Sequence, residues 1–267
     1  MTNNSIGVFD SGIGGLTVVK EIITLLPNEN ITYLGDTARV PYGSRATETI
    51  TEFSLQLTNF LLKKDVKFLV VACNTISAIC LDLIQDISSV PVIGVIKPAS
   101  KKIVETTQSG KVGIIGTRAT IHSNIYENEL HKIDPEVRVT SIACPLFVPI
   151  AEEGLGSSDI AKLIVKHYLH DLKDIDTLHL GCTHYPLLKD VIQQAIGENV
   201  TIIDSAIPTA QVLKKELIEK NLLNKESGNG SQVYYVTDTP ERVLPIASMF
   251  LGRDIKDTIH KVELPTL

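Results

Sequence analysis

Two cysteines stand in matched settings along this chain. Cys73 follows the apolar run Phe68-Leu69-Val70-Val71-Ala72 and precedes Asn74-Thr75; Cys182 follows Leu178-His179-Leu180-Gly181 and precedes Thr183-His184. Each ends a strand-like run and opens a helical pattern. Strand C-termini of α/β sheets border the ligand crevice, and a helix N-terminus favours the thiolate form of a cysteine through its dipole and free N–H groups. Two thiols presented this way could act as acid and base on opposite faces of one carbon. That is what inversion of a stereocentre by proton transfer requires. A lone buried cysteine is more often just a small hydrophobe, but two in matched polar contexts argue for chemistry.

Other reactive groups fall at comparable positions. Asp10 ends the first apolar run, where it could orient an ammonium, assist acid/base chemistry, or simply cap a helix. It opens Asp10-Ser11-Gly12-Ile13-Gly14-Gly15, a tight turn whose exposed backbone N–H groups form an anion cradle. This is no dinucleotide fingerprint, because Thr17 stands where the third glycine belongs, and the P-loop lysine is missing. Asn74 and Thr75 offer caps and ligand hydrogen bonds. His184 could donate to a carboxylate or tune Cys182, and Pro186 suits a first helical turn. Gly43 and Ser44 could contact a carboxylate with Tyr42 as a wall, although Pro41-Tyr42-Gly43-Ser44 is also an ordinary turn composition. Asp36 begins the loop after the second strand. Glu152-Glu153-Gly154 reads as an acidic loop. Cys80 reads as helix core, Cys144 as structural, and His179 as a packed strand residue; His122, His131, His167, His170 and His260 read as structural or surface residues.

The elements that must hold these groups alternate from end to end. Strands are expected at 5–9, 31–35, 67–72, 90–96, 111–116, 137–143, 177–181 and 200–204, mostly continuous Val/Ile/Leu runs of the kind buried on both faces. Helical spacing covers 16–26, 46–63, 75–87, 119–133, 159–172 and 186–196, and 225–232 reads as a loop. This pattern is α/β with mainly parallel sheets. A weak internal repeat is present: Ile6-Gly7-Val8-Phe9 resembles Val112-Gly113-Ile114-Ile115, with 66 residues from Gly7 to Cys73 and 69 from Gly113 to Cys182. If the halves are equivalent, the two cysteines face each other across a cleft.

The chain's 267 residues suffice for one large domain or two smaller ones. A net charge of −6 leaves no basic footprint for nucleic acid. No apolar run approaches a membrane span, and the N-terminus has no leader pattern. These features predict a cytoplasmic protein whose four cysteines are free thiols; none forms a C-x-x-C pair.

Taken together, Val8–Leu16 (VFDSGIGGL), 35–43 (GDTARVPYG), 72–75 (ACNT), 147–154 (FVPIAEEG) and 181–188 (GCTHYPLL) resemble the glutamate racemases, cofactor-independent amino-acid racemases. The resemblance implies two pseudo-symmetric α/β lobes, 1–97 plus 207–267 and 98–206, with the site in the cleft between them. It implies Cys73 and Cys182 as the two acid/base groups, Asp10 and His184 as their assistants, and Asp36 and Glu152 as supporting acids. Asp10, Ser11, Tyr42, Gly43, Ser44, Asn74, Thr75, Thr183 and His184 would hold the amino acid. It further implies glutamate as substrate, no cofactor and no metal, a homodimer, a form without an N-terminal extension, and D-glutamate supplied for peptidoglycan. The competing readings are an aspartate-type racemase, a cysteine hydrolase using Cys182 and His184, a non-enzymatic amino-acid-binding protein, and a pyridoxal enzyme using Lys97.

Overall fold

The computed structural model describes residues 2–226 and 228–264. Ser227, within the expected loop at 225–232, and residues 265–267 of the expected first lobe lie outside the described residues. The chain begins β1 (Ile6–Asp10), α1 (Leu16–Leu25), β2 (Ile31–Gly35), α2 (Thr47–Leu62), β3 (Phe68–Val71), α3 (Asn74–Ile87), β4 (Val92–Gly94) and α4 (Ile96–Thr106). It continues β5 (Lys111–Gly116), α5 (Arg118–His122), α6 (Ile125–Ile133), β6 (Arg138–Ala143), α7 (Phe147–Glu152), α8 (Asp159–Leu169), β7 (Thr177–Gly181), α9 (Lys189–Ile196) and β8 (Thr201–Asp204). It closes with α10 (Ala206–Glu219), β9 (Gln232–Val236), α11 (Pro240–Leu251) and β10 (Ile259–Lys261).

The strands form two sheets, ordered β10-β9-β2-β1-β3-β4 and β6-β5-β7-β8. Every pairing is parallel. The order β2-β1-β3-β4 recurs as β6-β5-β7-β8, so the weak sequence repeat corresponds to a repeated topology. Gly7 lies on β1 and Gly113 on β5, while Cys73 and Cys182 follow β3 and β7. Equivalent thiols therefore sit beyond equivalent strands.

The central strands are long apolar runs because helices cover both of their faces. On β1, Ile6 and Val8 enter one core with α1, α10 and α11, while Phe9 turns to the opposite core with Leu57 of α2 and Ile76 of α3. This alternation is the two-residue period of a strand. The first of these cores also takes in Val112 and Ile114 of β5 and Ala99 of α4, so the two sheets share apolar packing. A third core, with Phe147, Leu178 and Tyr185, covers the other face of the second sheet.

Several element boundaries differ from expectation. The strand expected at 90–96 is only Val92–Gly94, because Pro98 sits comfortably in the first turn of α4 and the chain turns helical at Ile96. The helix expected at 119–133 is divided by Asn124, whose φ of 53° places it in the left-handed region. The helix expected from 186 starts as a 3₁₀ turn, Tyr185–Leu188, before α9. Glu152 closes the short helix α7 rather than lying in an acidic loop. No described helix is long and apolar enough to cross a membrane.

Candidate active site

The parallel sheets bring their C-terminal strand ends to a common seam. Ser11, Tyr42, Gly43, Cys73, Asn74 and Thr75 from the first sheet's loops line a small cavity of about 30 Å³ there, with Thr117, Glu152, Cys182, Thr183 and His184 from the second. An outer pocket of about 280 Å³ shares Val40, Pro41, Gly43, Thr117, Val148 and Glu152 as walls and adds Ser44 and Arg118. Ser44 thus belongs to the mouth, whereas most of the other expected contacts reach the inner cavity.

Cys73 is the N-cap of α3. Its sulfur accepts the Ile76 N–H at 3.5 Å and donates to Ser11 Oγ at 3.3 Å. Burial pushes its thiol pKa well up, and the nearby Asp10 carboxylate adds to this; the Ser11 and Ile76 hydrogen bonds oppose it only in part. Asp10 stands behind Cys73, fully buried, with Oδ2 accepting the N–H groups of Gly15 at 2.9 Å and Gly12 at 3.3 Å. Burial raises its pKa, against the charge of His184 and the hydrogen bonds from Gly15 and Gly12. Its Oδ1 has no hydrogen-bond partner among the described residues. Asp10 therefore orders the turn between β1 and α1.

Cys182 has a different neighbour. Its sulfur lies 3.8 Å from His184 Nδ1, and His184 Nε2 lies 2.9 Å from Glu152 Oε1. Burial disfavours the imidazolium, but hydrogen bonds to Cys182 and Glu152, and their charges, outweigh it and raise His184 to about 10. Phe250 of α11 packs edge-on against the His184 ring at 5.5 Å between centroids. A Cβ at Gly14 would stand 2.5 Å from His184 Nδ1 and would overlap Thr183 Oγ1. Only glycine lets the turn after β1 lie directly on the Cys182 loop.

Asp36 does not line the cavity. It accepts from the Tyr42 hydroxyl, from Arg39 Nε at 2.6 Å and from Thr237 Oγ1 at 2.8 Å, so its reach into the site is through Tyr42. Thr75 Oγ1 lies 2.9 Å from Thr117 Oγ1, joining the two halves across the seam. Lys97 is exposed and lines a separate cavity of about 410 Å³ between α3 and α6, away from both cysteines. It lies outside the cysteine cavity that a Schiff-base lysine would have to enter.

Residues 6–213 match the model of the Asp/Glu/hydantoin racemase family. The chain belongs to that family. It is 48% identical over 262 residues to the glutamate racemase of Geobacter metallireducens, covering 97% of each chain. Among solved structures, it superimposes with a TM-score of 0.96 on a glutamate racemase isoform of Bacillus anthracis, at 43% identity and full coverage of both chains. The glutamate racemase of Francisella tularensis in complex with D-glutamate is likewise covered in full, at 42% identity and a TM-score of 0.93. The α/β expectation and the resemblance both hold for this racemase-family chain.

Thr117 and Val148, which line the racemase-family cavity, were not among the expected site residues. A signal for Thr117 was available: it follows β5 as Ser11 follows β1, each four residues beyond the glycine that marks its half of the repeat. Its hydroxyl also caps α5, accepting from Thr120 N at 3.2 Å.

Proposed function

We propose that this chain interconverts L- and D-glutamate by passing the α-proton between Cys73 and Cys182. The observation that carries this reading is that the two thiols, beyond equivalent strands of the repeat, share the wall of one small cavity. Full-length similarity to glutamate racemases supports it. One sulfur, as thiolate, takes the proton from Cα and becomes a thiol. The electron pair left behind delocalises into the α-carboxylate. The other thiol then delivers its proton to the opposite face and becomes the thiolate. The reverse reaction exchanges the roles, and neither sulfur bonds to carbon.

Asp10 serves Cys73 and the His184–Glu152 pair serves Cys182, each as a proton-balancing neighbour. Asp36 acts at one remove by orienting Tyr42. Ser11, Gly43, Asn74, Thr75 and Thr183 hold the amino acid, with Ser44 meeting it at the mouth. A space of about 30 Å³ holds little more than a water, so the walls part to admit glutamate and close to exclude solvent. The lobes that part are 1–97 with 207–267, and 98–206. The enzyme works without a cofactor, in the cytoplasm, as a homodimer, and supplies D-glutamate for peptidoglycan.

Circular dichroism of each glutamate and aspartate enantiomer tests the proposal. The expected result is decay of both glutamate signals to zero with no added cofactor and a stable aspartate signal. Decay with aspartate alone transfers the assignment to an aspartate racemase. A stable signal with all four refutes the two-thiol mechanism.

A further inference from the structure

Behind Asn74 lies a buried polar cluster that the two-cysteine chemistry does not use. Asn74 opens α3 beside Cys73 and lines the cysteine cavity. Its side-chain oxygen faces the cluster. Tyr126 Oη of α6 donates to Oδ1 at 2.5 Å, and Ser205 Oγ, between β8 and α10, lies 3.4 Å from the same oxygen. His179 of β7 packs against the Tyr126 ring, with 4.7 Å between centroids. Its Nδ1 donates to the Ile203 carbonyl at 3.1 Å, and its Nε2 lies 2.8 Å from Tyr126 Oη and 3.4 Å from Ser205 Oγ. Ser205 can supply the proton that Nε2 accepts, so Tyr126 keeps its own for Asn74. All four side chains are buried.

The other end of the amide is different. Asn74 Nδ2 is buried and has no hydrogen-bond partner among the described residues. A buried donor left unpaired is costly, so a ligand that brings an acceptor is favoured there. An amide nitrogen only donates, which suits a carboxylate and not an ammonium. Among the described residues lining the cavity there is no lysine or arginine, so neutral donors must meet the carboxylates of an amino acid. The two ends of an amide fill the same space, and the Tyr126 hydroxyl distinguishes them by donating to the oxygen. Asn74 follows a strand of the first sheet, whereas Tyr126, His179 and Ser205 belong to the second sheet and its connections. The donor is therefore aimed from across the seam.

We propose that Tyr126 is a positioning residue, supported by His179 and Ser205, that holds the Asn74 amide with its nitrogen toward the cavity as a donor to a substrate carboxylate. This deepens, and rests on, the reading of the cavity as a glutamate site.

A double-mutant cycle in KM tests this. Asn74→Ala removes the donor and raises KM for glutamate about tenfold. Tyr126→Phe keeps the donor but lets the amide turn, and raises KM by a similar factor, with kcat within about threefold of wild type. In the Asn74→Ala background, Tyr126→Phe changes KM by less than about twofold, because no amide remains to be held. The same tenfold factor in both backgrounds, or a wild-type KM in the single Tyr126→Phe enzyme, overturns the proposal. Should Tyr126→Phe fail to fold, Ser205→Ala takes its place in the cycle. Without the serine proton, Nε2 draws the Tyr126 proton away from Asn74, so KM rises at least about threefold, and only where Asn74 is present. A rise independent of Asn74, or none, overturns the proposal. A wild-type protein that does not racemise glutamate overturns the glutamate reading and this proposal with it; an additive cycle in an active enzyme overturns the proposal alone.

Discussion

Replacing Glu152 with glutamine separates support of His184 from direct participation in proton transfer. The carboxylate lies 2.9 Å from His184 Nε2, and glutamine keeps an oxygen there while removing the charge. Hydrogen bonds to charged groups are worth about 1.5–3 kcal/mol and neutral ones about 0.5–1.5 kcal/mol, so the change removes roughly 1.4 kcal/mol. That corresponds to one pKa unit, which moves His184 from about 10 to roughly 9. His184 stays protonated at neutral pH, because a raised imidazole loses its proton only as pH climbs through its folded value. The variant therefore keeps its neutral-pH kcat to within a few-fold. The alkaline limb of its kcat profile moves down by about one unit. The assay is polarimetric kcat at saturating glutamate from pH 7 to 11, so that titration of free substrate does not enter. An unmoved limb would show that Glu152 does not set the His184 proton. A collapse of about a thousandfold at neutral pH would show that Glu152 itself handles the substrate proton, and the supporting role would have to be abandoned.

Three further outcomes are expected. Cys73→Ser and Cys182→Ser should each lower racemisation by about 10²–10⁴-fold with unchanged far-UV circular dichroism; near-normal rates in either would remove that cysteine from the mechanism. Gly14→Ala should cut kcat/KM at least about tenfold in a protein that still folds, since its methyl group would displace Thr183 and His184; wild-type kinetics would contradict the close approach. Tyr42→Phe removes a donor from the buried Asp36 carboxylate and should lower unfolding free energy by about 1–3 kcal/mol in urea titration, an unchanged midpoint being the contrary result.

The sequence made the central strands legible because burial on both faces writes them as apolar runs. The glycine and cysteine intervals exposed the repeat because the elements recur in the same order, β2-β1-β3-β4 and β6-β5-β7-β8. The C-terminal region was less readable. β9 pairs with β2, some two hundred positions earlier, and although Val233-Tyr234-Tyr235-Val236 are strand formers, the run is short and only half-apolar beside the buried central strands. α4 was hidden by the apolar run that precedes it, and although α10 and α11 each bury one face, through Ala210, Leu213 and Leu217 and through Val243, Ala247 and Phe250, the exposed Ile207, Ile218 and Met249 blur that pattern. In the site, Cys73 and Cys182 could be found from type and context. Asp36 could not be separated from cavity-facing groups, because its three hydrogen-bond donors come from positions 39, 42 and 237. The hydrogen bonds of His179 were invisible, since its partners Tyr126 and Ile203 come from α6 and β8, far apart in the chain.

The place of β9 also bears on how the chain is made. β2 gains its outer neighbour only when residues 232–236 have left the ribosome, after the whole second sheet has been synthesised. Until then β2 presents a bare strand edge, all five of whose residues are buried in the finished fold, the kind of surface that recruits strands from other chains. Rapid folding of residues 111–204 would bring the two ends of that stretch together and shorten the search for β9. The nascent protein is thus most exposed to aggregation late in translation, and truncations just before residue 232 should be markedly less soluble than the full chain.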